Sequence, residues 1–311
     1  MNKNLIFLIA IFYIINPNEI FGQFITAKDY NINGKVKKVT YDSYQTDKDF
    51  FKIKKGWEET EKLDKTIEFN EVGKITKIIY KDLNNKVIRT DKFDYSKQVL
   101  IKSITKYEII KYSYDNQKRL ETQKIFDRTP ESISASNIDE IEGKEKLFVQ
   151  FEYDLKGRLK KKIETNKKKN TNLTTSFFYS DKNLILKEET VYNDGFKEWY
   201  KYQYDSNGKV INKKWYDNEE GILENLTNQY EDNNLLTSTW ENYADGELEG
   251  KIVYRYENGN EVEITEFDLL ENTQIKWVYN YEYDSMKNWI KKTAHTFKNE
   301  YFLVERKIEY Y

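Results

Sequence analysis

The sequence predicts an all-β fold made of about ten antiparallel β-hairpin units of roughly 26 residues, arranged as an extended twisted sheet or a solenoid-like array. Three observations support this prediction. A pair of aromatic residues one position apart recurs along the 311-residue chain, each time followed by turn-forming residues and a basic residue. From Tyr153 to Tyr283 the second aromatic residue returns every 25 to 27 residues. The only two prolines, Pro17 and Pro130, lie outside the predicted strands.

The second aromatic residue of each unit marks the register of the repeat. The marker positions are Tyr30, Phe69, Tyr95, Tyr114, Tyr153, Tyr179, Tyr204, Tyr230, Tyr256 and Tyr283. In the first strand of a unit, aromatic residues at alternate positions, such as Tyr202 and Tyr204, share one face of the strand. The turn that follows contains Asn, Asp or Gly, as at Asn207-Gly208, and these residues tolerate the positive φ of a tight hairpin turn.

The second strand of each unit departs from a strict alternation of apolar and polar residues. The aliphatic pairs that show the departure are Val36/Val39, Ile75/Ile78 and Leu159/Ile163. An extra residue in one strand shifts the alternation by one position, so these spacings predict a β-bulge or a strong twist after each turn.

The first 22 residues have the pattern of a signal peptide. Lys3 precedes an apolar run from Leu5 to Ile15, and Gly22 is a small residue before a predicted cleavage at Gln23. Eleven apolar residues are too few to span a bilayer, which requires about 20. We therefore expect an exported chain with no membrane span, in which residues 23–311 form a single domain.

Two polar stretches interrupt the repeat and are predicted to be insertions outside the hairpin array. They cover residues 42–65 and 127–146. Two lysine-rich stretches, Lys160–Lys162 and Lys167–Lys169, lie close together in one unit. We interpret them as charges that protect a sheet from association rather than as a binding patch.

The composition excludes several classes of function. The chain has no cysteine, so it has no disulfide, no thiolate metal site, no cysteine nucleophile and no lipid-attachment cysteine of a lipoprotein. The 51 Lys and Arg residues nearly balance the 53 Asp and Glu residues, which argues against a nucleic-acid partner. Together with the signal peptide, the absence of a lipid-attachment cysteine predicts a location in the periplasm or outside the cell.

No catalytic, cofactor-binding or metal-binding residue is predicted. The single histidine, His295, lacks the partners of a catalytic triad or a metal site and is interpreted as an exposed strand residue. No phosphate-binding glycine motif is present, because most glycines lie in the predicted hairpin turns. The many carboxylates include no pair that the sequence singles out.

The aromatic residues have two possible roles. The chain contains 26 Tyr, 17 Phe and six Trp, and most of these residues are expected in the core of a thin sheet. Aromatic side chains on an exposed sheet face would instead form a platform for a sugar or a peptide. The candidates for that role are Trp199, Trp215, Trp240, Trp277 and Trp289.

The phrase Tyr-Asp-x-x-Gly-Arg/Lys-aliphatic resembles the YD repeat of the RHS family. It is clearest at Tyr153–Leu159, Tyr204–Val210 and Tyr283–Trp289. The end of the chain is similar to that of small exported repeat proteins of Bacteroidetes-type bacteria. The resemblance implies β-hairpins that coil into long sheets. In the large RHS toxins such repeats form a shell around a toxic C-terminal domain, whereas this chain ends inside its last repeat.

The function predicted from the sequence is that of an exported, non-enzymatic binding or scaffold protein. Its expected partner is a glycan or an envelope protein, and the sequence does not indicate an oligomeric state. One alternative is a carbohydrate-active enzyme, which would hold two carboxyl groups about 5–10 Å apart. Another is a component of a toxin-delivery or immunity system.

Overall fold

The computed structural model describes residues 26–56, 64–128, 142–219 and 221–311, so the predicted signal peptide lies outside the described residues. The fold is all-β, as predicted. A 3₁₀ turn, Ala27–Tyr30, precedes 21 strands. In chain order the strands are β1 Val36–Thr46, β2 Lys52–Lys55, β3 Asp64–Phe69, β4 Ile75–Lys81, β5 Val87–Ser96, β6 Val99–Ile104, β7 Glu108–Tyr114, β8 Leu120–Arg128, β9 Glu142–Tyr153, β10 Leu159–Asn166, β11 Thr171–Tyr179, β12 Ile185–Tyr192, β13 Lys197–Tyr204, β14 Val210–Asp217, β15 Ile222–Glu231, β16 Asn234–Ala244, β17 Glu247–Glu257, β18 Asn260–Asp268, β19 Thr273–Tyr283, β20 Trp289–His295 and β21 Tyr301–Tyr310.

The strands close into a barrel. Each strand from β3 to β21 pairs antiparallel with the next one along the chain. The first strand, β1, then pairs with β21 along one edge and with β2 and β3 along the other. Because β2 and β3 share one edge of β1, the ring has 20 strand positions. We call the β1–β21 pairing the seam.

The predicted extended sheet or solenoid-like array is therefore wrong, although its antiparallel hairpins are present. A hairpin repeat has the same sequence pattern in an open sheet and in a closed ring, so the sequence could not show closure. In an open sheet the first and last strands would need protection from pairing with other chains. In the barrel these two strands protect each other, because the seam satisfies both edges.

The repeat turns have the predicted chemistry. In the turn after β13, the Asp205 carboxylate accepts hydrogen bonds from the N–H groups of Asn207 and Lys209 at 2.9 and 2.8 Å. Gly208 follows with a φ of +80°, a conformation that favours glycine. Where the phrase is degenerate, as between β5 and β6, Lys97 and Gln98 both have positive φ and form a tighter turn.

The predicted bulges are also confirmed. All nine hairpins that carry a repeat turn show a register shift next to the turn. In the β3–β4 hairpin, Ile75 lies opposite Phe69 and Ile78 lies opposite Ile67. The extra residue between Ile75 and Ile78 lets both side chains face the same side, which explains their spacing of three.

The two ends of the barrel differ in their connections. One end, the turn rim, carries the repeat turns that follow the odd-numbered strands β3 to β19. The other end, the loop rim, carries the remaining connections, including the turn between β1 and β2. Residues 57–63 and 129–141, the centres of the two predicted insertions, lie outside the described residues. Among the described residues, no helix has the length and apolar character needed to span a membrane.

The repeat tyrosines face the interior of the barrel. Their hydroxyl groups donate to main-chain carbonyls of the preceding hairpin. The pairs are Tyr95 to Ile75, Tyr114 to Leu100, Tyr153 to Leu120, Tyr179 to Leu159 and Tyr204 to Ile185, at 2.6 to 2.7 Å. Their face is the more buried one, and among the described elements only the segment 26–33, near the seam, packs against it. A single-layer ring can bury side chains only on its concave side, so this face is the inner wall.

The apolar core lies against the seam. Val39 and Tyr41 of β1 belong to a buried cluster with residues of β3, β4, β20 and β21. The segment 26–33 covers this cluster. It bonds to the β3–β4 turn through the Ala27 N–H and to the β17–β18 turn through the Asn31 side chain. Arg306 is buried beneath the segment and donates to the main-chain carbonyl of Tyr30 at 3.1 Å.

Candidate functional site

The candidate site is a group of polar and aromatic side chains on the inner wall, which we call the interior cluster. It consists of Glu188, Tyr200, Tyr202, Lys213, Trp215 and Glu224. These residues lie on β12, β13, β14 and β15. In a ring of 20 positions, β13 is ten positions away from β3, so the cluster lies across the barrel from the apolar core at the seam.

Strand register places the cluster in two adjacent rows. Glu188 pairs with Tyr200, Tyr200 with Trp215, and Trp215 with Glu224. The rings of Tyr200 and Trp215 stack with their centres 5.8 Å apart. Four neighbouring strands thus present one continuous row, in which two stacked aromatic rings lie between two carboxyl groups.

Polar side-chain atoms connect the second row to the first. Tyr202 lies opposite Lys213. The Tyr202 hydroxyl donates to Glu188 Oε1 at 2.8 Å. Lys213 Nζ lies 4.1 Å from the centre of the Tyr200 ring, within the range of a cation–π contact.

The interior environment changes the proton affinity of these groups. Desolvation raises the pKa of Glu224 to about 7, although the positive charge of Lys213 acts against it. Desolvation also raises the pKa of Glu188, opposed by the Tyr202 hydrogen bond and by Lys213. It lowers the pKa of Lys213, while the two glutamates act to raise it. The cluster therefore contains two carboxyl groups with raised pKa values, and that of Glu224 lies near neutral pH.

Two further observations indicate that the cluster can hold a polar ligand. Each of its six side chains is half-buried, so each is enclosed by protein and still reached by solvent. The Nε1–H of Trp215 is buried and has no hydrogen-bond partner among the described residues. Buried donors are nearly always paired, so this N–H is available to an acceptor on a ligand or to water.

The tryptophan candidates divide between the two walls. Trp277 and Trp289 are buried on the inner wall and belong to the core, as expected for most aromatic residues. Trp215 and Trp240 are half-buried on the inner wall. Trp199 is half-buried on the outer wall, where it stacks on Tyr216 with ring centres 5.7 Å apart.

The interior cluster could not be found from the sequence, because the sequence around a glutamate does not show whether its side chain faces into or out of the barrel. Glu188 and its neighbour Glu189 look alike in sequence, yet only Glu188 faces inward. The aromatic pair Tyr202/Tyr204 was the one usable signal of the cluster in the sequence. Both side chains face inward, and strand pairing places other inward-facing residues beside them. His295 lies at the end of β20, where its ring stacks on Tyr301 at 4.6 Å.

In the described part of the chain, no group of three or more His, Asp or Glu side chains is placed to hold a metal ion.

The outer wall is charged along the circumference. Its ion pairs join side chains that alternate along the strands with the inward-facing residues. They include Lys38–Glu309, Lys77–Glu68, Lys187–Glu189, Arg255–Glu263, Lys276–Glu263 and Lys291–Glu282. Individually such exposed pairs add little stability, but they keep the outer wall hydrated.

No family model and no curated protein matches the chain. Solved structures with a related course of the backbone include a porin-like protein from Bacteroides uniformis ATCC 8492. It is 12% identical, covers 70% of this chain and 94% of that chain, and has a TM-score of 0.37. A porin-like protein from Bacteroides vulgatus ATCC 8482 is 10% identical, covers 90% and 99% of the two chains, and has a TM-score of 0.28. The Photorhabdus luminescens Tc holotoxin pore with the TccC3-D651A mutation is 11% identical over 78% of this chain and 19% of that chain, with a TM-score of 0.24.

The family assignment made from the sequence needs correction. No family model supports a YD or RHS repeat. The strands also close into a ring instead of coiling into a long sheet. The assignment to the YD-repeat family is therefore wrong. The recurring phrase has a local cause, because the copies that keep the aspartate form a capped turn next to a bulge.

Proposed function

We propose that this protein is an exported, non-enzymatic binding protein that holds a polyhydroxylated ligand, of the saccharide class, against the inner wall of its barrel. The observation that carries the proposal is the interior cluster, in which half-buried aromatic rings lie between two carboxyl groups and a buried tryptophan N–H has no partner among the described residues. Pockets that combine aromatic faces with a few convergent polar groups are the usual form of small-ligand sites.

The chemistry of the cluster favours a sugar over other ligands. The carboxyl groups of Glu188 and Glu224 can accept hydrogen bonds from hydroxyl groups when ionised and donate when protonated. The rings of Tyr200 and Trp215 supply an apolar surface for the C–H face of a sugar ring. Lys213 lies between two carboxyl groups, so the site has no large excess of either charge to select a strongly ionic ligand.

The outer wall supports an aqueous location after export. A barrel that spans a membrane carries an outward apolar band roughly 25 Å tall. Here the outward positions of many strands carry ion pairs, such as Lys187–Glu189 and Lys276–Glu263. We therefore place the protein in the periplasm or outside the cell.

The test is a binding screen with arrays of glycans and peptidoglycan fragments, followed by calorimetry on any ligand found. Glu188→Gln and Trp215→Phe should weaken binding by about tenfold or more, since each removes a group that the ligand would contact. The matched outer-wall changes, Glu189→Gln and Trp199→Phe, should leave affinity unchanged. Equal losses from both pairs, or a loss only from the outer pair, would show that the inner wall is not the site. A protein that binds no glycan on the array contradicts the saccharide class.

One observation favours a carbohydrate-active enzyme as a second candidate. The pKa of Glu224, about 7, suits a general acid. The spacing acts against this candidate, because Glu188 and Glu224 lie three strands apart in their row. At about 4.8 Å per strand their backbones are roughly 14 Å apart, beyond the usual separation of a glycosidase carboxyl pair. Release of sugar fragments from a bound glycan would show that the protein is an enzyme rather than a binding protein. The toxin-delivery or immunity role stays a prediction from the sequence.

A further inference from the structure

The loop rim carries an arc of exposed apolar side chains that the proposed function does not use. We call it the apolar arc and define it by Phe51, Ile53, Leu83, Tyr107, Leu270 and Phe297. The exposed fractions of Phe51, Tyr107 and Leu270 are 71%, 60% and 74%. Large side chains at this level of exposure, gathered on one part of a surface, indicate a site of interaction.

The arc occupies consecutive loops around the ring. Its residues lie in or beside the β18–β19, β20–β21, β1–β2, β4–β5 and β6–β7 connections, which follow one another along the loop rim. The rest of this rim is polar where the structure describes it. The described tips of its other connections carry Lys168, Asn193, Asp194 and Asp245. Among the described connections, the apolar tips thus lie in the half of the rim beneath the seam.

Lysines outnumber acidic residues among the exposed charged side chains beside the arc. Lys48, Lys54, Lys86 and Lys298 are exposed there, as are the acidic residues Asp49 and Glu271. Two aspartates of the same loops have carboxylates turned toward their own main chain: Asp47 accepts from the Asp49 and Phe51 N–H groups, and Asp82 accepts from two N–H groups of its turn. The outermost charged groups of these loops are therefore chiefly ammonium groups.

We propose that the apolar arc docks the barrel onto an anionic phospholipid surface. The tips are single apolar or aromatic residues on separate loops at one end of a barrel, so they can enter a planar headgroup layer together. The flanking lysines complement the negative charge of such a surface. A protein partner would more commonly require one contiguous apolar patch with a polar rim. This docking would hold the barrel upright with its turn rim away from the lipid.

The test is sedimentation of the chain from Gln23 with vesicles of phosphatidylcholine alone and of phosphatidylcholine with phosphatidylglycerol. Binding should be stronger to the phosphatidylglycerol vesicles and should weaken as salt is raised, because the attraction of lysines to the surface is screened. The double variant Phe51→Ser/Leu270→Ser should lower the vesicle partition coefficient by about tenfold or more. Lys54→Glu/Lys86→Glu should remove the preference for phosphatidylglycerol.

The matched control is Val72→Ser/Leu155→Ser, which removes two apolar side chains of comparable exposure from the turn rim. This variant should bind vesicles like the unchanged protein. Failure of the unchanged protein to sediment with either vesicle would overturn the proposal, as would an equal loss from the control variant. Sedimentation only with vesicles that contain envelope proteins would identify a protein partner and would equally overturn it. Unfolding measurements on each variant separate a loss of docking from a loss of fold.

Discussion

At the scale of single residues, burial inside the barrel determines which ionisable side chains behave unusually. Glu188 and Glu189 are neighbours in sequence but face opposite sides of the sheet, and desolvation raises the pKa of the inward-facing Glu188. Glu224 shares the inner wall and has its pKa raised for the same cause, desolvation. In both cases the loss of water around the carboxylate outweighs the attraction of Lys213.

The position of Glu224 predicts a pH-dependent effect of Glu224→Gln. Its folded-state pKa, about 7, lies above the ordinary value of a glutamate, so the folded protein binds this proton more tightly than the unfolded chain. This contribution to stability is fully present below the unfolded pKa of about 4.3 and is lost as the pH rises through about 7. Above that pH the Gln variant should have a free energy of unfolding higher than that of the unchanged protein by about 1 kcal/mol. This is less than the full pKa shift would give, because solvent reaches the Glu224 side chain and screens the effect.

Chemical denaturation across this pH range would measure the difference. The advantage of the Gln variant should vanish in acid, where Glu224 is protonated in both states. Glu189→Gln, which removes the outer-wall ion pair with Lys187, is the control and should give no such gain. An advantage that is constant with pH would show that desolvation of Glu224 is not its source.

At the scale of the hairpin, the structural unit is a turn, a bulge and a tyrosine that work together. In the β13–β14 hairpin the Asp205 carboxylate caps the turn, and Tyr204 beside it bonds to the preceding hairpin through the Ile185 carbonyl. The bulge lies next to the turn and keeps the aliphatic residues after it on the inner wall. The recurring phrase in the sequence encodes this unit.

Loss of a turn cap should therefore destabilise the barrel. Asp205→Ala removes two hydrogen bonds to main-chain N–H groups and should lower the free energy of unfolding by about 1–2 kcal/mol. Asp181→Ala, an exposed aspartate in the β11–β12 turn, is the matched control, because Ser180 caps that turn. Thermal unfolding would compare the two variants. Equal melting temperatures would show that the cap does not contribute.

The hairpins, their turns and their bulges could be predicted from the sequence because each depends on residues close together in the chain. The Asp and Gly residues of the turns, and the spacing of Ile75 and Ile78 that indicates the bulge, can be read from the sequence without knowledge of distant contacts. The closure of the ring and the interior cluster could not be predicted in this way. Both depend on which strands become neighbours and on which side of the sheet becomes concave, and a periodic sequence leaves those choices open.

At the scale of the whole molecule, the seam decides the architecture. Ten residue pairs join β1 to β21, from Val36↔Tyr310 to Thr46↔Tyr301. In an open sheet of 20 strands these two strands would lie roughly 90 Å apart, at about 4.8 Å per strand. A distance measured across the seam therefore separates the barrel from every open arrangement.

The chain has no cysteine, so a cysteine pair can be introduced without background reaction. Thr40 and Lys307 are paired across the seam, and Thr40→Cys/Lys307→Cys should be joined quickly by a short bis-maleimide crosslinker. The control Thr40→Cys/Lys276→Cys places the second cysteine on β19, two strands away from β21, and should react far more slowly. Mass spectrometry of the products would detect the crosslink. Equal rates for the two pairs would contradict closure.

The seam also has a consequence for how the chain reaches its native state. It joins the first strand to the last, so the ring cannot close until the final residues of β21 have been synthesised and translocated. Until then both strands present unpaired N–H and C=O groups, which are sites for association with other chains. Contacts between residues this far apart in sequence also form slowly. The newly exported chain should therefore depend on envelope chaperones that cover the two open edges until they meet.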